Sequence, residues 1–117
     1  MRTSVLPAAL AATSSVGSVG ASASAERGLT YECRLVATKL GEEISVALRL
    51  VTNQARDDWR VRLYHDGERI FSKIRTTNAQ GNLKVVRIVP NLPRRDELSA
   101  WSRHLESGAV CEVDSRI

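Results

Sequence analysis

The fold is decided by a stretch near the middle of the chain, which reads Trp59-Arg60-Val61-Arg62-Leu63-Tyr64-His65-Asp66-Gly67. Apolar and polar side chains alternate along it, and a period of two predicts a β-strand with one buried face. Asp66-Gly67 then predicts a two-residue hairpin turn, because both residues tolerate the positive φ that such a turn requires. We therefore expect a return strand from Glu68 to Thr76 or Thr77.

The same alternation extends outward in both directions. Two strands are predicted before the stretch, and their inward-facing residues are Tyr31, Cys33, Leu35 and Ala37 in the first and Ile44, Val46, Leu48 and Leu50 in the second. After the stretch, the nearly continuous apolar run from Leu83 to Val89 predicts an interior strand, or a strand with a bulge between Val85 and Val86. Pro90 ends that strand, since proline cannot donate to a β-ladder. The last strand is expected from Ala109 to Val113.

Residues 96–106 are compatible with two structures. Leu98, Trp101 and Leu105 have helical spacing, and Asp96-Glu97 would suit the start of a helix. A strand from Glu97 to His104 is favoured, because a helix would leave the following turn without a partner strand. With this strand the chain has about seven short strands, which predict an all-β fold, an antiparallel β-sandwich.

The N-terminus has the organisation of a cleavable secretory signal peptide. Arg2 is followed by the apolar run of residues 5–12 and by Ala21-Ser22-Ala23-Ser24-Ala25, a small-residue cleavage site. Cleavage is expected after Ala25 or Ala23, so residues 1–25 are the predicted signal peptide and residues 26–117 the domain. The alternative is a disordered, low-complexity N-terminus. The apolar run is too short to cross a bilayer, which takes about 20 residues, so we expect a secreted or wall-associated protein with no transmembrane segment.

Two cysteines lie in alternating apolar segments near the two ends of the domain. Cys33 and Cys111 are expected to form one disulfide in an oxidising compartment, a bond worth up to about 4.5 kcal/mol because it closes a long loop. The alternative is a pair of buried free thiols. Neither cysteine belongs to a C-x-x-C motif, so redox catalysis and zinc binding have no support.

Two parts of the sequence resemble a known type of domain. Trp59-x-Val61-x-Leu63-x-x-Asp66-Gly67 leading into Thr77-Asn78-x-x-Gly81-x-Leu83-x-Val85 resembles the strand–turn–strand core of immunoglobulin-like, transthyretin-like and carboxypeptidase-regulatory-like domains. The ending, residues 105–111, is similar to the last hairpin of small secreted bacterial proteins with immunoglobulin-like or fibronectin-III-like folds. The resemblance implies an immunoglobulin-like sandwich and export, and it supplies no catalytic residues. Cys33 lies on the first predicted strand, so the disulfide position of antibody domains does not carry over.

The sequence gives little support for catalysis. His65 beside the turn is expected to be solvated, and His104 lies near the end of the penultimate strand. Asp57-Asp58 and Glu42-Glu43 are interpreted as solvated turn charges, since adjacent residues of an extended chain point to opposite faces. No serine lies in a Gly-x-Ser-x-Gly motif. We therefore predict a non-catalytic module without a metal site or cofactor.

Basic residues offer the one surface that suggests a ligand. If Trp59, Val61 and Leu63 face the core, Arg60 and Arg62 face solvent. In the return strand, the residues expected to face the core are Ile70, Ser72, Ile74 and Thr76. Phe71, Lys73 and Arg75 would then lie on the same outer surface as the two arginines. Arg60, Arg62, Lys73 and Arg75 would then bind a polyanion such as a wall polymer, with Tyr64 and Phe71 between them. The alternative is an ordinary charged sheet face, and the net charge of +4 is small.

A dibasic loop allows one further function. Arg94-Arg95, between Pro93 and Asp96, could be presented by a secreted protease inhibitor, although a cleavable connection is the simpler interpretation. The leading prediction remains a secreted, monomeric, non-catalytic module with a binding or structural role, whose partner is an extracellular polyanion or another protein.

Overall fold

The computed structural model describes residues 17–91 and 96–117, and this part of the chain consists of strands, turns and loops. Its strands are β1 Gly17–Glu26, β2 Leu29–Leu40, β3 Glu43–Thr52, β4 Asp58–His65, β5 Glu68–Thr76, β6 Asn82–Pro90, β7 Glu97–His104 and β8 Val110–Arg116. The all-β prediction is confirmed, and the segment that allowed a helix or a strand is the strand β7. No helix that could span a membrane is found in the described residues.

The eight described strands form two antiparallel sheets that pack as a sandwich. One sheet has the order β1-β2-β3-β6 and the other the order β5-β4-β7-β8. β6 is therefore an edge strand, and its prediction as an interior strand is wrong, because the apolar Val86 and Ile88 lie on an exposed face of the sheet. The predicted sandwich is therefore confirmed, with β1 added ahead of the strand that the sequence placed first. All of β1 except Glu26 falls within the predicted signal peptide, which stays a prediction.

The core lies between the sheets and follows the alternation of the sequence. The inward residues of β3 and β4 are at most 1% exposed; they are Ile44, Val46, Leu48 and Leu50 in β3 and Trp59, Val61 and Leu63 in β4. Trp59 bridges the sheets, because its ring meets that of Tyr31 in β2 edge to face, with centroids 5.6 Å apart. Aromatic rings of this size supply much of a small core's burial.

The hairpin between β4 and β5 has the predicted turn, but its register differs from the predicted one. Asp66 and Gly67 have φ of 52° and 85°, as a two-residue turn requires. The pairing shifts by one residue after Leu63, so that Leu63 lies opposite Phe71 instead of Ile70. A bulge of this kind moves the rest of the strand to the opposite face of the sheet.

This shift corrects the predicted orientation of β5. Phe71 is buried at 5% exposure, whereas Ile74, which was expected in the core, is 48% exposed. The physical reason is the extra residue in β5, which places Phe71, Lys73 and Arg75 on the side of Leu63, Val61 and Trp59.

The predicted disulfide is present and joins the two sheets. Cys33 of β2 and Cys111 of β8 are bonded, with their Cα atoms 6.3 Å apart and 78 positions apart in sequence. Both residues are almost fully buried. The bond therefore links β8, the last strand, covalently to β2.

β1 covers this bond at the edge of the sandwich. It pairs with β2 along its whole length, from Gly17 opposite Thr38 to Glu26 opposite Leu29. It also packs against β8, so closely that a Cβ atom at Gly20 would overlap the carbonyl oxygen of Asp114. Cleavage after Ala25 would remove all of β1 except Glu26 and leave the edge of β2 unpaired.

The disulfide should contribute a large share of the domain's stability. We expect the double variant Cys33→Ser/Cys111→Ser to lose about 4 kcal/mol of unfolding free energy, because the bond restricts a long loop in the unfolded chain. Urea unfolding with and without reductant measures this loss. Reductant should destabilise the parent by a similar amount and leave the variant unchanged; a parent that unfolds at the same urea concentration in both conditions would contradict the expectation.

Candidate functional site

The two histidines lie at opposite ends of the central strand pair, β4 and β7. Each strand is preceded by an aspartate and ends in a histidine eight residues later, Asp57 and His65 for β4 and Asp96 and His104 for β7. The strands are antiparallel, with Trp59 opposite His104 and His65 opposite Leu98. The aspartate before each strand therefore lies beside the histidine at the end of the other.

The His65 pair is buried. Its Nε2 lies 2.7 Å from Oδ1 of Asp96 and 3.5 Å from Oδ2 of Asp66. His65 is 7% exposed and Asp96 is fully buried. The prediction that His65 is a solvated turn residue is therefore wrong, because the start of β7, distant in sequence, covers the turn.

The His104 pair is joined by a third group. Nε2 of His104 lies 2.8 Å from Oδ2 of Asp57, and Nδ1 lies 2.7 Å from Oγ of Ser107. The ring also packs against Trp59, with centroids 5.1 Å apart. Asp57, predicted as a solvated charge, is instead a hydrogen-bond partner of a buried histidine.

Serine, histidine and aspartate are the residue types of a hydrolytic triad, but here they close a turn. The hydroxyl oxygen of Ser107 accepts a hydrogen bond from the backbone N–H of Ala109, and the backbone N–H of Ser107 donates to Nδ1 of His104. These contacts stabilise the loop between β7 and β8. We interpret both histidine–aspartate pairs as structural contacts. Each one joins the residue before one of the two strands, β4 or β7, to the last residue of the other strand.

Two carboxylates lie close to each histidine. Two groups have ligand atoms close enough to share a metal ion, Asp57 with His104 and Glu106, and His65 with Asp66 and Asp96. In both groups a histidine nitrogen is already within hydrogen-bond distance of a carboxylate. In the His65 group these contacts use Oδ1 of Asp96, and Oδ2 of that carboxylate is buried without a hydrogen-bond partner.

The four basic residues singled out from the sequence do not share one surface. Arg60 and Arg62 lie on the outer face of their sheet, where the Arg62 guanidinium stacks over the Trp101 ring at 4.8 Å. Lys73 and Arg75 lie on the inner side, where β5 forms the edge of the sheet. Arg75 and Arg87 both approach the ring of Phe71 there, at 5.8 Å and 4.8 Å.

A different set of cations is brought together on the outer face of the β1-β2-β3-β6 sheet. Arg34 lies directly opposite Arg49, and Arg49 directly opposite Lys84, so three neighbouring strands carry three cations side by side. We call these residues the basic row. Strands lie about 4.8 Å apart, so the row is about 10 Å long. The row was not predicted, because the three positions meet only when the partners and register of the strands are known.

The basic row has little internal compensation. Among the described residues, one carboxylate lies within 4 Å of a member of the row: Glu32, at 3.8 Å from Nη2 of Arg34. Both side chains are about half exposed, and such pairs contribute little. Like charges placed directly opposite in a sheet destabilise it, so the row carries a cost to folding that an anion would relieve.

An apolar row runs beside the basic row on the same face. It consists of Val19, Val36, Ala47 and Val86, each opposite the next on neighbouring strands. A shallow depression of about 320 Å³ lies along the two rows and is lined by Arg34, Val36, Ala47, Arg49 and Lys84. The site therefore combines positive charge with an apolar floor.

Comparison with protein-family models, with curated proteins and with solved structures finds no match to this chain. Arg94 and Arg95 of the dibasic loop lie outside the described residues.

The histidine–aspartate pairs should stabilise the domain unequally. We expect Asp96→Ala to cost about 2–4 kcal/mol of unfolding free energy, because it leaves a buried histidine without its partner. Asp57 is 23% exposed, so Asp57→Ala should cost about 1 kcal/mol, since water replaces the lost partner. Urea unfolding of both variants measures the difference, with the exposed Asp58→Ala as control. If Asp96→Ala and Asp58→Ala lost the same unfolding free energy, the buried pair would not stabilise the domain.

Proposed function

We propose that this chain is an exported, non-catalytic, immunoglobulin-like module that binds anionic groups outside the cell through the basic row. The observation that carries the proposal is the direct opposition of Arg34, Arg49 and Lys84 across three strands. Three cations within about 10 Å on one flat face match a ligand with several closely spaced negative charges.

The immunoglobulin-like assignment is supported by the order of the strands after β1. β2, β3 and β6 take the positions of strands A, B and E, and they face β5, β4, β7 and β8 in the positions of C′, C, F and G. The buried Trp59 lies on β4, the strand that carries the core tryptophan in immunoglobulin domains. The position of the disulfide differs. It joins β2 and β8, in positions A and G, whereas the disulfide of antibody domains joins strands B and F.

Export is supported by two independent features. The N-terminal segment has the order of charge, apolar run and small residues that a signal peptide requires. A structural disulfide persists in oxidising compartments and is rare in the cytosol. The ligand is therefore expected among the anionic polymers and surfaces that an exported protein meets.

The basic row is a better anion site than the predicted surface around Arg60 and Arg62. The Arg62 side chain is held against Trp101, and the carboxylates of Glu112 and Asp114 line the same depression. That face carries both signs of charge, whereas the basic row has one carboxylate near one end.

The proposal predicts that charge reversal in the row weakens binding to a polyanion. We expect Arg34→Glu/Arg49→Glu to lower the affinity for heparin about tenfold or more at low salt, and the parent's retention to fall as salt rises. Elution from a heparin column along a salt gradient measures both effects.

The matched control is Arg60→Glu/Arg62→Glu, which changes the net charge of the protein by the same amount on the other sheet. We expect this variant to elute close to the parent. If it elutes early while Arg34→Glu/Arg49→Glu does not, the predicted surface on β4 is the anion site and the basic row is not. Equal losses would show that net charge alone governs retention.

A further inference from the structure

The face that carries the basic row also exposes several aliphatic side chains. Val86 and Ile88 of β6 are 48% and 52% exposed, Val51 of β3 is 40% exposed, and Val19 of β1 is 62% exposed. All four alternate with core residues and therefore lie on the outer face of the sheet. An anionic polymer bound to the basic row would leave them in water.

The charged and apolar residues are arranged in adjacent parallel rows. Arg34, Arg49 and Lys84 form one row, and Val36, Ala47 and Val86 form the next, two residues further along each paired strand. Two residues of a strand span about 7 Å. Ile88 lies opposite Ser45, one row further on, and extends the apolar part of the face. A flat ligand would therefore meet positive charge and apolar side chains at the same depth.

A second copy of the chain does not fit this face. Placing two such faces together by a twofold axis through the row would oppose the cations of one copy to those of the other, which costs free energy in a desolvated contact. A water-soluble polyanion would pair with the cations of the basic row but would leave the exposed valines in contact with water. The surface of an anionic bilayer offers both parts, because headgroup phosphates lie next to the start of the acyl chains.

We propose that the outer face of the β1-β2-β3-β6 sheet docks on the anionic surface of a lipid bilayer. The basic row contacts headgroup phosphates, while Val86 and Ile88 enter the boundary between headgroups and acyl chains. The inference rests on the proposed function, since it takes the basic row as the anion site and names the surface that carries the anions. Each cation near such a surface strengthens binding about fivefold.

Vesicles test the inference directly. The secreted protein is mixed with vesicles of phosphatidylcholine alone or of phosphatidylcholine and phosphatidylglycerol in equal parts, and the bound fraction is measured by co-sedimentation. We expect binding to the mixed vesicles only, and a loss of about tenfold or more in Arg34→Glu/Arg49→Glu.

The apolar contribution separates a bilayer from a soluble polyanion. Val86→Ser/Ile88→Ser should lower the affinity for the mixed vesicles about tenfold, because it removes apolar area that the bilayer covers. The same variant should elute from heparin with the parent. Ile74→Ser is the matched control, since Ile74 is 48% exposed on the other sheet and its substitution should change neither measurement.

The outcomes distinguish the two proposals. Bilayer docking is overturned if Val86→Ser/Ile88→Ser binds the mixed vesicles as strongly as the parent does, or if the parent does not bind them. Heparin binding by the basic row would still stand in either case. If Arg34→Glu/Arg49→Glu keeps full retention on heparin, the proposed function itself fails. Circular dichroism and urea unfolding of each variant exclude misfolding, and serine at two exposed positions of an edge strand should leave the fold intact.

Discussion

The register of the antiparallel strands is the constraint on which the rest of the structure depends. Successive side chains of a strand point to opposite faces, so each pairing settles at once what is buried and what is exposed. In β2, β3 and β6 the pairing runs without interruption. The ladder that buries Leu35, Leu48 and Val85 against the other sheet also aligns the basic row on the outside. A slip of one residue in this pairing would expose the core residues to solvent and would also separate the three cations of the basic row.

The β4–β5 hairpin shows how much a single residue changes. The sequence predicted both strands and the turn at Asp66-Gly67, because alternation and turn chemistry are local properties. It could not predict the bulge after Leu63, since alternation assigns the two faces within one strand but does not determine the register between two strands. The bulge buries Phe71 and moves Lys73 and Arg75 away from Arg60 and Arg62. The predicted basic surface was wrong for this reason, although each of its residues was assigned to the correct strand.

The histidine–aspartate pairs illustrate a signal that was present in the sequence and still could not be used. Asp57 to His65 and Asp96 to His104 have the same spacing, but the coincidence has meaning only if β4 and β7 are neighbours. Once they are, equal strand lengths place a carboxylate beside an imidazole at both ends. A slipped register would separate both pairs and leave buried polar groups unsatisfied, so these contacts specify the pairing as well as stabilise it.

Most of the proposed binding face does not depend on how the N-terminus is processed. β1 pairs with one side of β2 and covers the disulfide, whereas the basic row lies on β2, β3 and β6. Cleavage after Ala25 would remove Val19 and open one sheet edge, yet Arg49, Lys84, Val86 and Ile88 would keep their partners. The disulfide would still hold β2 to β8 from the core side. Because the rest of the face is built on β2, β3 and β6, cleavage at one edge removes Val19 and leaves the arrangement of the three cations, Val86 and Ile88 unchanged.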